Sequence, residues 1–255
     1  MRRLRVIPVL LLQDGELVKS IKFKNHQYVG DPINAVRIFN EKEVDEIIIL
    51  DISASKAKRL PNLSQIGELA SEAFMPFAYG GGITSLEQAS DIFYQGAEKV
   101  ILNASALRNP DLITHIAKRF GSQSVVVSID VAKPLLGRPR VYGACGTEKT
   151  KWDPIAFAQH TENLGAGEIM LTSIDRDGTF KGYDTQLIST VANALSIPVI
   201  ACGGASSLND FQQAASSGAA AVAAGSFFVF QMPHRAVLIS YPGQADLKSH
   251  VFSKL

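Results

Sequence analysis

The chain has 255 residues, 46% of them hydrophobic, with 25 Lys and Arg against 24 Asp and Glu for a formal net charge of +1. That balance argues against a polyanion such as nucleic acid held by general charge attraction, and no apolar stretch approaches the ~20 residues that span a bilayer. Two cysteines, Cys145 and Cys202, lie in unrelated contexts without CxxC or Cys/His spacing, which argues against a disulfide framework and a zinc site and points to a reduced, cytoplasmic protein; neither a metal nor a cofactor is expected.

The start, Met1-Arg2-Arg3-Leu4-Arg5 and then seven apolar residues, imitates a signal peptide, but Gln13-Asp14-Gly15-Glu16 stands where the small-residue cleavage site would be. Residues 5–11 read instead as a buried strand ending in a turn. Further strands are predicted over 46–51, 76–79, 99–103, 124–130, 168–173, 198–202 and 220–224. Helices are predicted between them, starting at Asp31-Pro32, Asn62, Thr84, Asn109-Pro110, Asp153-Pro154, Asp184 and Ser206 or Ser207. Asp, Asn, Ser and Thr at those places accept hydrogen bonds from free helix N–H groups, and Pro suits the first helical position. After Met232-Pro233-His234 a short last helix is expected over 236–240, stopped by Pro242-Gly243. The strand over 220–224 is mostly alanine and has no propensity to recommend it.

A repeat supplies the missing support. Gly80-Gly81-Gly82-Ile83-Thr84-Ser85-Leu86 is answered by Gly203-Gly204-Ala205-Ser206-Ser207-Leu208, and Gly96-Ala97 by Gly218-Ala219, each at an offset of 122 positions. A half of roughly 120 residues is too long for a solenoid repeat. Two half-barrels, about 1–120 and 121–240, fused in a single domain 1–255, make one TIM (β/α)8 barrel, an α/β fold whose active site lies at the C-terminal strand ends.

That rule sorts the polar residues. Asp51, Asn103, Asp130, Asp175 and Asp177 fall at or just past strand ends. The duplicated glycines, with Gly225-Ser226 after strand eight, leave N–H groups uncovered at the mouth, where two phosphates could bind on opposite sides; the alternative is that they only make tight turns. Asp130 ends an apolar strand and suits a general acid or base, or else a structural cap. Its counterpart in the repeat is Leu11. Arg5, Glu46, Lys99 and Glu168 fall at strand starts with alternating sign, and three readings are open: an inward ring with a function, a ring that only plugs the barrel floor, or outward surface pairs.

Over nearly its full length the chain resembles the HisF family, the cyclase subunit of imidazole glycerol phosphate synthase of histidine biosynthesis. The resemblance is carried by Gly30-Asp31-Pro32, Leu50-Asp51-Ile52-Ser53-Ala54-Ser55, Gly80-Gly81-Gly82-Ile83, Phe120-Gly121-Ser122-Gln123 leading to Asp130, and above all Leu171-Thr172-Ser173-Ile174-Asp175-Arg176-Asp177-Gly178-Thr179. It implies a lyase that takes ammonia from a separate glutaminase docked on the barrel floor. The family's ammonia gate falls on Arg5, Glu46, Lys99 and Glu168, and its phosphate positions on Gly82 and Asn103 and on Gly178, Gly204, Gly225 and Ser226. Lys19 matches the mobile first loop, and Asp51 and Asp177 match polar groups at the mouth.

The departures concern catalysis. The family pairs an aspartate on strand one with one on strand five, and here Leu11 faces Asp130. Ala104 replaces a hydroxyl residue beside Asn103. A retained ammonia path with an altered mouth suggests, as a first reading, a subunit feeding ammonia to a different phosphorylated acceptor, as in acetamidino sugar synthesis for surface polysaccharides, with a further amidotransferase subunit. The second reading is the histidine-pathway cyclase itself, its lost acid replaced by Asp51 or Asp175. A third is a non-catalytic barrel that activates a glutaminase.

Overall fold

The structure, a computed structural model, describes residues 4–134 and 137–255; residues 1–3, the basic start weighed against a signal peptide, lie outside the described residues. Its barrel strands are β1 (Arg5–Gln13), β2 (Ile47–Asp51), β3 (Phe77–Gly80), β4 (Lys99–Leu102), β5 (Val125–Ala132), β6 (Glu168–Ser173), β7 (Val199–Cys202) and β8 (Ala221–Ala224). Each pairs in parallel with the next, and β8 pairs back on β1 from Arg5↔Ala221 to Pro8↔Ala224. The sheet therefore closes into a TIM barrel.

Outside it pack α1 (Pro32–Glu41), α2 (Leu63–Glu72), α3 (Leu86–Tyr94), α4 (Asp111–Phe120), α5 (Pro154–Asn163), α6 (Thr185–Ala192), α7 (Leu208–Ser216) and α8 (Gln244–His250). Asp31, Asn62, Asp153 and Asp184 cap helices as expected, each accepting a backbone N–H of the first turn. Ser207 makes a reciprocal capping box with Asp210. Two starts need correcting: the cap of α3 is Ser85 and not Thr84, and Asn109 closes a short preceding helix, Ala104–Arg108, so that α4 begins after Pro110.

The last helix is also corrected. Ala236–Val237 is a strand paired antiparallel with Phe230–Gln231, and Pro242-Gly243 precedes a helix instead of ending one, with Gly243 as the cap of α8. The 236–240 segment is held by backbone bonds from Leu238 to Val229 and from Ser240 to Phe228, which take its polar groups away from any helix.

Strand side chains alternate between faces, so each strand supplies an inward file from floor to mouth. On β1 the file is Arg5, Ile7, Val9 and Leu11. Ile7, Val9, Ile48, Ala78, Ile101, Val126, Met170, Ile200, Ala221 and Ala223 form an apolar cluster of their own inside the barrel, against which Leu11, Leu50 and Cys202 pack. A second apolar layer, including Phe39, Ile49, Phe157, Val222 and Phe228, fills the space between sheet and helices. The interior is thus a dry core with a polar end above and below.

Candidate active site at the barrel mouth

At the lower end the four charged residues turn inward. Arg5 Nη1 bonds Glu46 Oε2 at 2.5 Å and Arg5 Nη2 bonds Glu168, while Lys99 Nζ meets Glu46 Oε1 at 2.8 Å and Glu168 Oε2 at 3.0 Å. Both carboxylates are buried, 3% and 6% exposed. Each one therefore has two cations, the full compensation that desolvated charges require, and the outward surface pairs that the sequence allowed are not formed.

At the upper end one cavity gathers Lys19, Asp51, Gly82, Asn103, Asp130, Asp177, Gly225 and Ser226, together with Leu11, Thr172, Cys145 and Cys202. Gly178 and Gly204 lie outside its lining. A Cβ on Gly178 would meet Ser20 O at 2.2 Å and one on Gly204 would meet Gly182 O at 2.3 Å, both from positive-φ backbone. Both positions have room only for glycine where the loops after β6 and β7 pack against their neighbours. Asp175 also lies apart: it is exposed, and its carboxylate accepts Lys133 N at 2.8 Å.

The first loop is an antiparallel hairpin, Glu16–Ile21 with Lys24–Gly30, turning at Asp14-Gly15 and Lys22-Phe23 with positive φ at all four. The Asp-Gly pair is a strong hairpin signal, but the sequence reading ended the strand there without continuing it. The hairpin buries Lys19, whose ammonium bonds Val9 O. Burial lowers its pKa to about 8, opposed by the nearby Asp177 charge. A second hairpin the sequence reading missed, Arg140–Gly143 with Glu148–Lys149, pairs with β5 and brings Cys145 to the cavity. Ser128, Thr172 and Cys202 were also missed, although their inward parity on β5, β6 and β7 was legible.

Asp130 is buried, with Asn103 Nδ2 donating to its Oδ2 at 3.2 Å and Ser128 Oγ to its Oδ1 at 3.3 Å. Burial pushes its pKa up to about 7, the Ser128 and Thr172 hydroxyls pull it down, and the Asp177 charge raises it further. A carboxyl poised near neutrality can give or take a proton. It also carries a stability cost. The folded chain holds the Asp130 proton more tightly than the unfolded chain does, so stability falls as pH rises from about 4 to about 7. Asp130→Asn, whose amide oxygen can accept from Asn103 while its nitrogen donates to the Ser128 hydroxyl, should therefore stabilise the protein by up to about 4 kcal/mol at pH 8 and by little at pH 4. Urea unfolding at the two pH values checks this; an equal effect at both would show that the group is not a strained acid.

The model of the family described as "Histidine biosynthesis protein" matches residues 5–233. The chain is 55% identical to a Pseudomonas aeruginosa protein named "Putative imidazole glycerol phosphate synthase subunit hisF2", over 95% of this chain and 97% of that one. It is 46% identical to a Vibrio vulnificus protein named "Putative imidazole glycerol phosphate synthase subunit hisF3", over 97% and 96%, and 43% identical to the protein of Alkaliphilus metalliredigens named "Imidazole glycerol phosphate synthase subunit HisF", over 88% and 89%. Similarity of this degree over nearly the whole barrel, on top of the closed fold and its inward files, means that the chain belongs to the HisF family.

Proposed function

We propose that this protein is the cyclase-type lyase subunit of an imidazole glycerol phosphate synthase, working in the cytoplasm with a separate HisH-like glutaminase. The glutaminase docks on the floor and releases ammonia there. Ammonia passes the ring of Arg5, Glu46, Lys99 and Glu168, rises through the apolar interior, and attacks a bisphosphate held at the mouth. The observation that carries this reading is the inward file itself, which runs from a charged ring through a dry core to Asp130. The floor also exposes Phe74 and Tyr94, 85% and 80% accessible, in the segments leading into β3 and β4. Exposed aromatics of that kind suit a protein partner.

Each half-barrel contributes one phosphate position, Gly82 with Asn103 on one side and Gly225 with Ser226, flanked by Gly178 and Gly204, on the other. Lys19 and Asp51 orient the substrate between them. Sulfate or phosphate soaked into crystals is expected at both positions; anions bound only elsewhere would remove the bisphosphate from the proposal. Formation of imidazole glycerol phosphate from free ammonia, with no glutaminase present, tests the activity directly.

The relatives bear the names of imidazole glycerol phosphate synthase subunits, so the histidine-type cyclase stands ahead of the sugar-directed role. One observation still favours the latter as a second reading. Leu11 and Ala104 make the mouth less polar than the family pattern, as expected if the ammonia acceptor differs and a further amidotransferase subunit takes part. The decisive comparison is ammonia transfer to the histidine-pathway bisphosphate against transfer to a phosphorylated or nucleotide-linked acetamido sugar.

A further inference from the structure

Resting on the cyclase reading, we infer that Asp177 is the second acid/base group of this barrel and fills the role that Leu11 leaves open, paired with Asp130 across the cavity.

The carboxylates lining the cavity among the described residues are those of Asp51, Asp130 and Asp177. Asp51 is already committed. Its Oδ1 accepts Ser53 N at 2.9 Å, Ser53 Oγ at 2.8 Å and Ala54 N at 2.9 Å, and the Arg59 guanidinium lies 3.6 Å from Oδ2. Its oxygens are thus engaged by the chain's own donors, which leaves it less free than the other two to meet a substrate. Asp175, the other replacement that the sequence suggested, is exposed and spent on Lys133 N.

Asp177 differs from both. It sits in the loop after β6, yet it is fastened to the hairpin that continues β1: Lys22 N donates to its backbone carbonyl at 2.9 Å and Ser20 Oγ to its Oδ2 at 3.1 Å. It is thereby fixed to the loop that continues β1, in the same cavity that Leu11 lines. The groups facing the pair are Lys19, Cys202 and Cys145. Burial raises the Asp177 pKa against the pull of Ser20, Lys19 and the Phe23 backbone N–H, and the Asp177 charge in turn raises that of Asp130. Two carboxyls in one desolvated site tend to hold a single proton between them. In the reaction the ammonia nitrogen bonds to a substrate carbon and the bond from substrate carbon to the departing group breaks; one carboxylate takes a proton from that nitrogen and the other carboxyl gives one to the departing group, so the proton count of the pair is unchanged.

The test compares ammonia-dependent turnover of the histidine-pathway bisphosphate in four chains: unmodified, Asp177→Asn, Leu11→Asp, and the double variant. Asp177→Asn is expected to lower kcat about 10²-fold in the unmodified background and less than about threefold once Leu11→Asp is present, because the strand-one carboxylate then carries the proton. Ser20→Ala, which removes the hydroxyl to Asp177 and leaves the carboxylate, should cost less than Asp177→Asn. Equal losses in the two backgrounds would mean that Asp177 only pins the hairpin, and no loss in the unmodified chain would mean that it does nothing; either overturns the pair. Absence of turnover in all four chains overturns the cyclase reading itself.

Discussion

Leu11→Asp should raise ammonia-dependent cyclisation about 10²-fold, the lower end of what one well-placed acid/base group contributes. Leu11 is the uppermost inward residue of β1, partly exposed to the cavity and packed against Leu50 and Cys202 at the edge of the apolar interior. A leucine there cannot move a proton, so the unmodified chain is expected to turn over slowly with Asp130 and Asp177 alone. A carboxyl at the same place would be largely desolvated, its pKa raised by the apolar neighbours and by Asp130 and Asp177, which is the condition for exchanging protons near neutral pH. The substitution should cost some stability, about 1–3 kcal/mol for a polar group buried with few partners. Rapid cyclisation by the unmodified protein would show that Leu11 has been given too much weight and that the catalytic pair never depended on strand one.

Much of this was legible in the sequence because the barrel rests on local rules. The run of β5 and the barrel rule put Asp130 at the mouth from sequence alone, the inward turn of Arg5 and Glu168 was one of the readings left open, and the predicted strands fall within two residues of those observed at each end. The alanine-rich β8 was recoverable only through the 122-residue repeat, since Ala221–Ala224 owes its strand to flanking β7 and β1 and not to propensity. What stayed hidden was non-local. Ser20 meets Asp177 across 157 positions and Arg5 meets Glu168 across 163, contacts that no spacing rule reports. The 236–240 segment failed for a related reason: its apolar residues suit either period, and pairing with Phe230–Gln231 decided for a strand.

The floor makes the other large prediction, and it turns on how the two cations hold the same two carboxylates. Arg5 grips Glu46 and Glu168 through separate nitrogens, whereas Lys99 reaches both with a single Nζ. Freeing Arg5 means breaking a forked arrangement that its rigid guanidinium matches well; freeing Lys99 needs only rotation about a flexible four-carbon stem. On the channel reading proposed above, the closed ring has to open for ammonia to enter, and Lys99 is the member best able to swing aside. Lys99→Leu removes that movable part and leaves two buried carboxylates sharing one arginine. The variant should lose stability, in the range of about 3–5 kcal/mol seen when a buried pair loses a partner, while Lys99→Arg keeps the charge and should fold normally but move less freely. In both variants the ratio of glutamine-dependent to ammonia-dependent turnover is expected to fall about tenfold or more, equivalent to about 1.4 kcal/mol at the transfer step, because free ammonia reaches the bisphosphate from the open mouth and bypasses the floor. A parallel fall in both activities would assign the ring to structure alone. The mouth would then have to be supplied by a route other than the barrel axis.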